Sequence, residues 1–170
     1  MPTKLTLEQM EELLAIHEMA EFNLDIDATM ATLVENPIYE LPALNWHIEG
    51  QDAVRETYRR LLHGGDVRNM WAEKRTHAIA DGSLCREAYV YVDTDEGVRV
   101  TGRYNVVMDF EGDKIAGERM FMDATFAKAM AEILGPDFGD VPGVSPLDEK
   151  SPPPVPRLDR AAVHAANSNH

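Results

Sequence analysis

From Val67 to Asp123 apolar and polar residues alternate, and the alternation is interrupted at Asp81-Gly82, Glu96-Gly97 and Gly112-Asp113. Successive side chains of a strand point to opposite faces, so a period of two interrupted by turn residues reads as an antiparallel meander. Strands are expected at about 68–80, 84–93, 98–110 and 114–123. The last pair, around DFEGDKIAGERMFMD (109–123), is the most informative. Gly112-Asp113 makes a tight hairpin, and its second arm places Glu118, Met120 and Met122 on one face and Arg119, Phe121 and Asp123 on the other. A carboxylate beside two methionines on a face due for burial marks a pocket wall.

The chain before Val67 has a different period. Thr6-Leu-Glu-Gln9 fits a capping box, and Met10, Leu13, Leu14, His17 and Leu24 follow at helical spacing. A second helix is expected from about Asp27 to Glu35, with Ala28, Ala31, Leu33 and Val34 as its apolar side, ended by Asn36-Pro37. Ile38–Leu41 reads as a short strand with Tyr39 and Leu41 facing the same way, and 42–50 reads as a loop holding Trp46 and His47. A third helix carries Val54, Tyr58, Leu61 and Leu62 on one stripe and stops at Gly64-Gly65. A last helix spans about 125–134. Helices, then a meander, then a closing helix make an α+β domain over residues 1–135. Residues 136–170, with SPPPVP at 151–156, read as an extended tail or an arm on a neighbouring subunit.

Charge and cysteine content narrow the function classes. A net charge of −14 disfavours nucleic acid and anionic membranes as partners. The single cysteine, Cys85, excludes an internal disulfide framework and a cysteine metal cluster. With neither a signal sequence nor an apolar run long enough for a membrane helix, a cytoplasmic location is expected. No HExxH or similar histidine spacing and no glycine-rich phosphate loop is present, so no metal and no cofactor is expected.

The side chains that can carry chemistry follow from the pattern. Glu118, desolvated among methionines, would hold its proton more tightly and serve as an acid or base near neutral pH. Its alternative is an ion pair with an arginine or a solvated place at an open end. His17, on the apolar face of the first helix, is a proton carrier or a core histidine held by a hydrogen bond, as to Glu21 one turn on. Tyr39, Tyr89 and Tyr104 are expected to share the cavity, holding a substrate oxygen or packing as core aromatics. Trp46 and His47 are expected at the cavity mouth, with Trp46 gating a ligand or packing beneath its loop. Leu41, Met120 and Met122 complete the expected lining. Asp123 is expected as a helix N-cap. Val98, Val100, Val107 and Phe121, read as outward-facing, call for a covering homodimer partner.

The strand NPIYELPAL followed by GQDAVRETYRRLL, together with DFEGDKIAGERMFMDATFAKAM, resembles the SnoaL-like members of the nuclear-transport-factor-2-like superfamily over about residues 8–134. The resemblance implies a cone-shaped, cystatin-like α+β barrel: a strongly curved antiparallel sheet wrapped around about three helices. That superfamily includes ketosteroid isomerases, polyketide cyclases, epoxide hydrolases, dehydratases and non-enzymatic binders. DKIAGERMFMDATFAKAM is most similar to the limonene epoxide hydrolases. Tyr39 matches their water-holding tyrosine, but Met120 stands at the place of their last-strand aspartate and Leu41 at that of their asparagine. Their arginine–aspartate pair falls near Arg86–Tyr89, where Ala88 or Tyr89 takes the aspartate position. In the ketosteroid isomerase pattern the general base also falls at Leu41, the oxyanion-binding aspartate near Val106 and the helix tyrosine at about His17. A methionine cannot activate water, so neither best-known mechanism is implied. Two function classes remain. One is a cofactor-independent isomerase, lyase or cyclase acting on an apolar, oxygen-bearing molecule such as a terpenoid, steroid or polyketide. The other is a ligand-binding or subunit-interaction protein with the same pocket.

Overall fold

A computed structural model describes residues 5–63, 69–80, 82–93 and 97–147. Helix α1 (Leu7–Phe22) begins with the expected box: Gln9 N–H donates to the Thr6 hydroxyl and the Gln9 side chain accepts from Thr6 N–H. Its buried face is Met10, Leu14, His17 and Ala20. Leu24, expected on that stripe, lies past the helix end at positive φ and is exposed. Helix α2 (Ile26–Ala31), capped by Asp25, is shorter than its periodicity predicts. Leu33 and Val34 belong instead to strand β1 (Leu33–Leu41), because long-range pairing with another strand overrides local helix propensity. Pro37 sits inside β1 at the register shift between Leu33 and Ile38, where the missing N–H costs no ladder bond.

The remaining elements are a single 3-10 turn at Pro42–Leu44, β2 (Trp46–Glu49), α3 (Gln51–His63), β3 (Asn69–Ala80), β4 (Ser83–Asp93), β5 (Arg99–Glu111), β6 (Lys114–Met122), α4 (Ala124–Leu134), a 3-10 turn at Phe138–Asp140 and β7 (Val144–Pro146). They form one curved sheet in the order β3-β4-β5-β6-β1-β2-β7. The meander pairs antiparallel, whereas β1 joins β6 in parallel. Irregularities at Lys74/Thr76, Asp109/Phe110 and Leu33/Ile38 bend the strands, as bulges do. The helices close over the concave face around a core that includes Leu14, Met30, Leu41, Val54, Val106, Phe126 and Met130. Asp123 caps α4 through Phe126 N–H, as its position predicts. Gly102 gives α4 room, since a Cβ there would sit 2.6 Å from that of Phe126. None of the described helices is long and apolar enough to cross a membrane.

Two expectations change in this light. The segment 42–50 is not a loop but a turn and a paired strand. The chain after Pro136 continues the fold as far as Leu147, beyond the expected boundary at residue 135. Phe138 is only 1% exposed. It stacks edge-on against Trp46 at 5.9 Å and lies under the Arg60 guanidinium, and Arg60 also binds the Leu134 carbonyl and Asp137. β7 then pairs with β2. The short apolar turn lacked any periodicity that would have revealed it. Gly64-Gly65 and SPPPVP (151–156) lie outside the described residues. On the outer face, Val98 and Phe121 are exposed, whereas Val100 packs inward against the core.

This segment supports a stability prediction. Phe138→Ala should lower the unfolding free energy by about 3–5 kcal/mol in urea titration, the usual range for emptying a buried aromatic site. A change below about 1 kcal/mol would place Phe138 outside the cooperative core.

Candidate functional site

Glu118 sits on β6 between Tyr39 of β1 and Met108 of β5, its partners in register. Its side chain is 10% exposed. It borders two adjoining chambers. The larger, of about 80 Å3, is lined among others by Leu14, His17, Arg86, Tyr104 and Met120. The smaller, of about 50 Å3, reaches Tyr39, Leu41, Tyr58 and Met130. Phe22 lines the larger chamber while half exposed, so the chamber meets the surface beside the end of α1.

A line of hydrogen bonds runs behind Glu118. The Thr32 hydroxyl donates to the Thr29 carbonyl at 2.6 Å and lies 2.6 Å from His17 Nδ1. With its one proton used, Thr32 accepts, so Nδ1 carries a hydrogen. His17 Nε2 is 2.9 Å from the Tyr58 hydroxyl, which is 2.9 Å from that of Tyr39. Tyr39 faces Glu118 across the β1–β6 register, and both line the smaller chamber. Glu21 and Glu118 lie 3.3 and 3.9 Å from Nε2.

Burial pushes the Glu118 pKa up to about 7; the His17 and Arg86 charges pull the other way and do not cancel it. Burial alone would lower the His17 pKa, but Glu21, by charge and hydrogen bond, and then Glu118 and Glu18 raise it. Burial, followed by neighbouring charge, holds both Tyr39 and Tyr58 protonated far above the usual phenol range. A carboxyl raised toward neutrality and a histidine raised above its ordinary value therefore face one cavity.

A second polar pair lies farther along the same face of the sheet. Arg86 is buried, pairs with Glu18, and donates to the Tyr104 hydroxyl at 3.2 Å. Burial works against the Arg86 cation, and Glu18 more than offsets it. The Tyr104 pKa is pushed up to about 12, chiefly by burial. Tyr104 accepts from Arg86, so its own O–H remains to donate to a ligand oxygen.

The expected site residues divide accordingly. Glu118, His17, Tyr39, Tyr104, Leu41 and Met120 come together around the two chambers. Met122 shares their face but packs against the core opposite Tyr104 instead of appearing in the chamber lining. Tyr89 is not in the cavity. On β4 the inward parity is Leu84, Arg86, Ala88 and Val90, so Tyr89 faces out with Tyr91. Trp46 is not at the mouth: its ring covers Phe138 and Gly139. His47 is buried between Glu40 and Glu49, away from both chambers. Tyr58, Thr32 and the Arg86–Glu18 pair were not picked out as site residues. The signal for Tyr58 was a tyrosine on a buried helical stripe, whose hydroxyl must find a partner. Among the described residues no cluster of three or more His, Cys, Asp or Glu is arranged to hold a metal ion.

The Glu118 carboxyl makes stability depend on pH. Its folded pKa of about 7 lies above the 4.5 of a free glutamate, so the folded state binds more protons between those values. Stability therefore falls as pH rises through that window. Relative to Glu118→Gln, the wild-type chain should lose about 3 kcal/mol between pH 4.5 and 8, measured by urea unfolding. A difference between the two that does not vary with pH would show that Glu118 titrates normally.

No family model matches the chain, and no curated protein matches it. Solved structures do. A putative SnoaL-like polyketide cyclase from Jannaschia sp. CCS1 is 13% identical, covering 79% of this chain and 99% of that chain at a TM-score of 0.61. A hypothetical protein with a ketosteroid isomerase-like fold from Catenulispora acidiphila, in complex with trimethylamine, is 11% identical, covering 71% and 92%, at 0.60. An NTF2-like protein of unknown function from Burkholderia pseudomallei is 14% identical, covering 74% and 95%, at 0.57. With its helices packed on the concave face of the curved sheet, the chain has the nuclear-transport-factor-2-like, ketosteroid isomerase-like α+β fold.

Proposed function

We propose that the chain is a cofactor-independent, small-molecule enzyme of the SnoaL-like type, performing acid–base chemistry on an apolar molecule that bears a carbonyl oxygen. The observation that carries this reading is the Glu118 carboxyl, nearly buried in an apolar chamber beside His17. Glu118 takes a proton from the carbon next to the carbonyl, and the electron pair moves onto the oxygen. Tyr104, backed by Arg86, donates to that oxygen as charge develops there. Return of the proton to another carbon gives isomerisation; loss of a leaving group instead gives elimination. Tyr39 stands beside the carboxyl in the β1–β6 register. A cavity of about 150 Å3 accommodates benzene. The larger chamber, at about 80 Å3, suits a small ligand as it stands, and a polycyclic one requires it to widen beside Phe22. A putative SnoaL-like polyketide cyclase has the same fold, which supports a small-molecule enzyme of this type.

A non-catalytic binder with the same pocket is the second reading, favoured by Met120 at the position where the epoxide hydrolases carry their aspartate. A second copy of the chain is the proposed partner, covering Ile38 and Phe121 on the outer face of β1 and β6. A cytoplasmic location, where a single cysteine stays reduced, accompanies this reading.

The test is deuterium exchange. Ketones from one ring to several, with a double bond one carbon removed from conjugation, are incubated with the chain in D2O and followed by proton NMR. The wild-type chain should accelerate exchange beside the carbonyl of a one-ring member. Glu118→Gln should lower the rate about 10²–10⁴-fold, the range for a positioned acid or base. Binding of these ketones with no exchange in either protein would favour the binder. Sedimentation velocity at micromolar concentration should give a dimer, and a monomer would remove the proposed partner.

A further inference from the structure

We propose that the two chambers are the two halves of one bent substrate site. The oxygen-bearing end of a small carbonyl compound occupies the larger chamber. An unbranched alkyl arm of about two carbons, carried by the carbon that loses its proton, enters the smaller one. Use of the site in turnover rests on the acid–base reading, whereas its shape is measurable by binding alone. Glu118 borders both chambers, and Glu21, Leu61, Met120 and Met130 are the other side chains common to both linings. The partition is thus the reacting carboxyl together with apolar side chains from β6, α3 and α4. Methionine is unbranched and turns about three side-chain bonds, so Met120 and Met130 can yield to a ligand without backbone movement.

The two halves differ in what they offer a ligand. In the larger, Arg86 Nε is buried and has no hydrogen-bond partner among the described residues. The Tyr104 hydroxyl accepts from Arg86 Nη2 and keeps its own hydrogen. Two donors are unspent on this side, and a ligand oxygen is the acceptor they lack. In the smaller chamber every hydroxyl already has a partner. Tyr39 and Tyr58 are bonded to one another, Tyr58 also to His17, and Thr57 donates to the Ala53 carbonyl. Glu21, Glu40 and Glu118 border it and repel an acidic arm. Glu21 and Glu40 already face His17 and His47, at 3.3 and 3.8 Å, so neither waits for a cation. An uncharged polar arm would leave water and find no free hydroxyl in return. An alkyl arm gives up nothing and gains burial against Leu41 and Met130.

Size sets the length of the arm. A cavity of about 150 Å3 takes the six carbons of benzene, about 25 Å3 for each. On that scale the smaller chamber, of about 50 Å3, holds about two carbons and the larger, of about 80 Å3, about three. Glu118 at the junction sets the proton-losing carbon there, with the carbonyl toward Arg86 and Tyr104 and the arm toward Leu41. The methyl ketone 2-pentanone has these proportions: methyl, carbonyl carbon and proton-losing carbon on one side, and the rest of the chain on the other. The arm also decides which side of the carbonyl reacts. It presents C3 of such a ketone to Glu118 and turns the C1 methyl away. Leu41, Met120 and Met130 are thereby assigned as specificity-determining residues.

The full-length chain, its leucine and valine methyls labelled with ¹³C, is titrated with acetone, butanone, 2-pentanone, 2-hexanone and 2-heptanone and followed by NMR. Affinity should rise about fourfold with each added methylene as far as 2-pentanone, the gain for one buried methylene, and rise no further. Nuclear Overhauser contacts should join the terminal methyl of 2-pentanone to Leu41, which lines only the smaller chamber. Its C1 methyl should contact Val106, which lines only the larger. Leu41→Ala should shift the best fit to a longer ketone; if that variant does not fold, the wild-type contacts decide alone. The proposal is overturned by a missing Leu41 contact, by an affinity indifferent to arm length or still rising at 2-heptanone, or by failure of every ketone to bind. Tighter binding of 4-aminobutan-2-one, in which an ammonium replaces the terminal methyl of 2-pentanone, would overturn it too. The expected contacts without deuterium exchange would leave the two-part site standing and remove the enzyme reading. Exchange at C3 without the Leu41 contact would remove the arm and keep that reading.

Discussion

The structure turns on the place where β1 meets β6. At Gly117 the two backbones approach so closely that a Cβ would sit 2.0 Å from the Ile38 carbonyl oxygen. Glycine alone permits that approach, and with it a parallel pairing inside a sheet that is otherwise a meander. One residue on, this register sets Glu118 beside Tyr39. Without it the meander would end at β6, and the carboxyl would have no phenol against it. The same pairing brings β2 and β7 into the sheet, since β1 carries them as its outer neighbours.

Burying the polar groups this pairing collects is costly unless each finds a partner. His17, Thr32, Tyr39 and Tyr58 all do, and they draw on α1, the end of α2, β1 and α3 to do so. The line thereby ties three helices to the sheet. It also explains how a nearly buried glutamate persists: its charge is relieved by protonation or by a histidine close by, not by an arginine saturating it. Arg86, a buried cation of this region, is paired with Glu18 of α1. Glu118 and the Arg86–Tyr104 pair thus stand apart along one face of the sheet, both lining the larger chamber.

The C-terminal segment reinforces the frame from outside. Arg60 on α3 binds the last carbonyl of α4, the Asp137 carboxylate and Glu56, while its guanidinium lies over Phe138. This anchors the turn that Trp46 packs upon, and so holds β2 against β1 behind Tyr39. Trp46 therefore braces the C-terminal turn and lines neither chamber.

Alternation by itself determined β4 to β6 and the shared face of Glu118 and Met120, because side-chain direction in a strand is a local property of the backbone. The Thr6 and Asp123 caps and the burial of His17 were legible for the same reason: each depends on residues within one or two helical turns. Local pattern did not reveal which face of β4 turns inward, and there an arginine is inside and two tyrosines outside. Nor did it reveal that Leu33 and Val34 leave the helix for a strand, or that Phe138 joins the core. The meeting of Tyr39 with Glu118, and of Tyr58 with His17, joins segments far apart in the chain. Only tertiary structure decided these contacts, since they follow from strand register and helix packing, which no short stretch of sequence encodes.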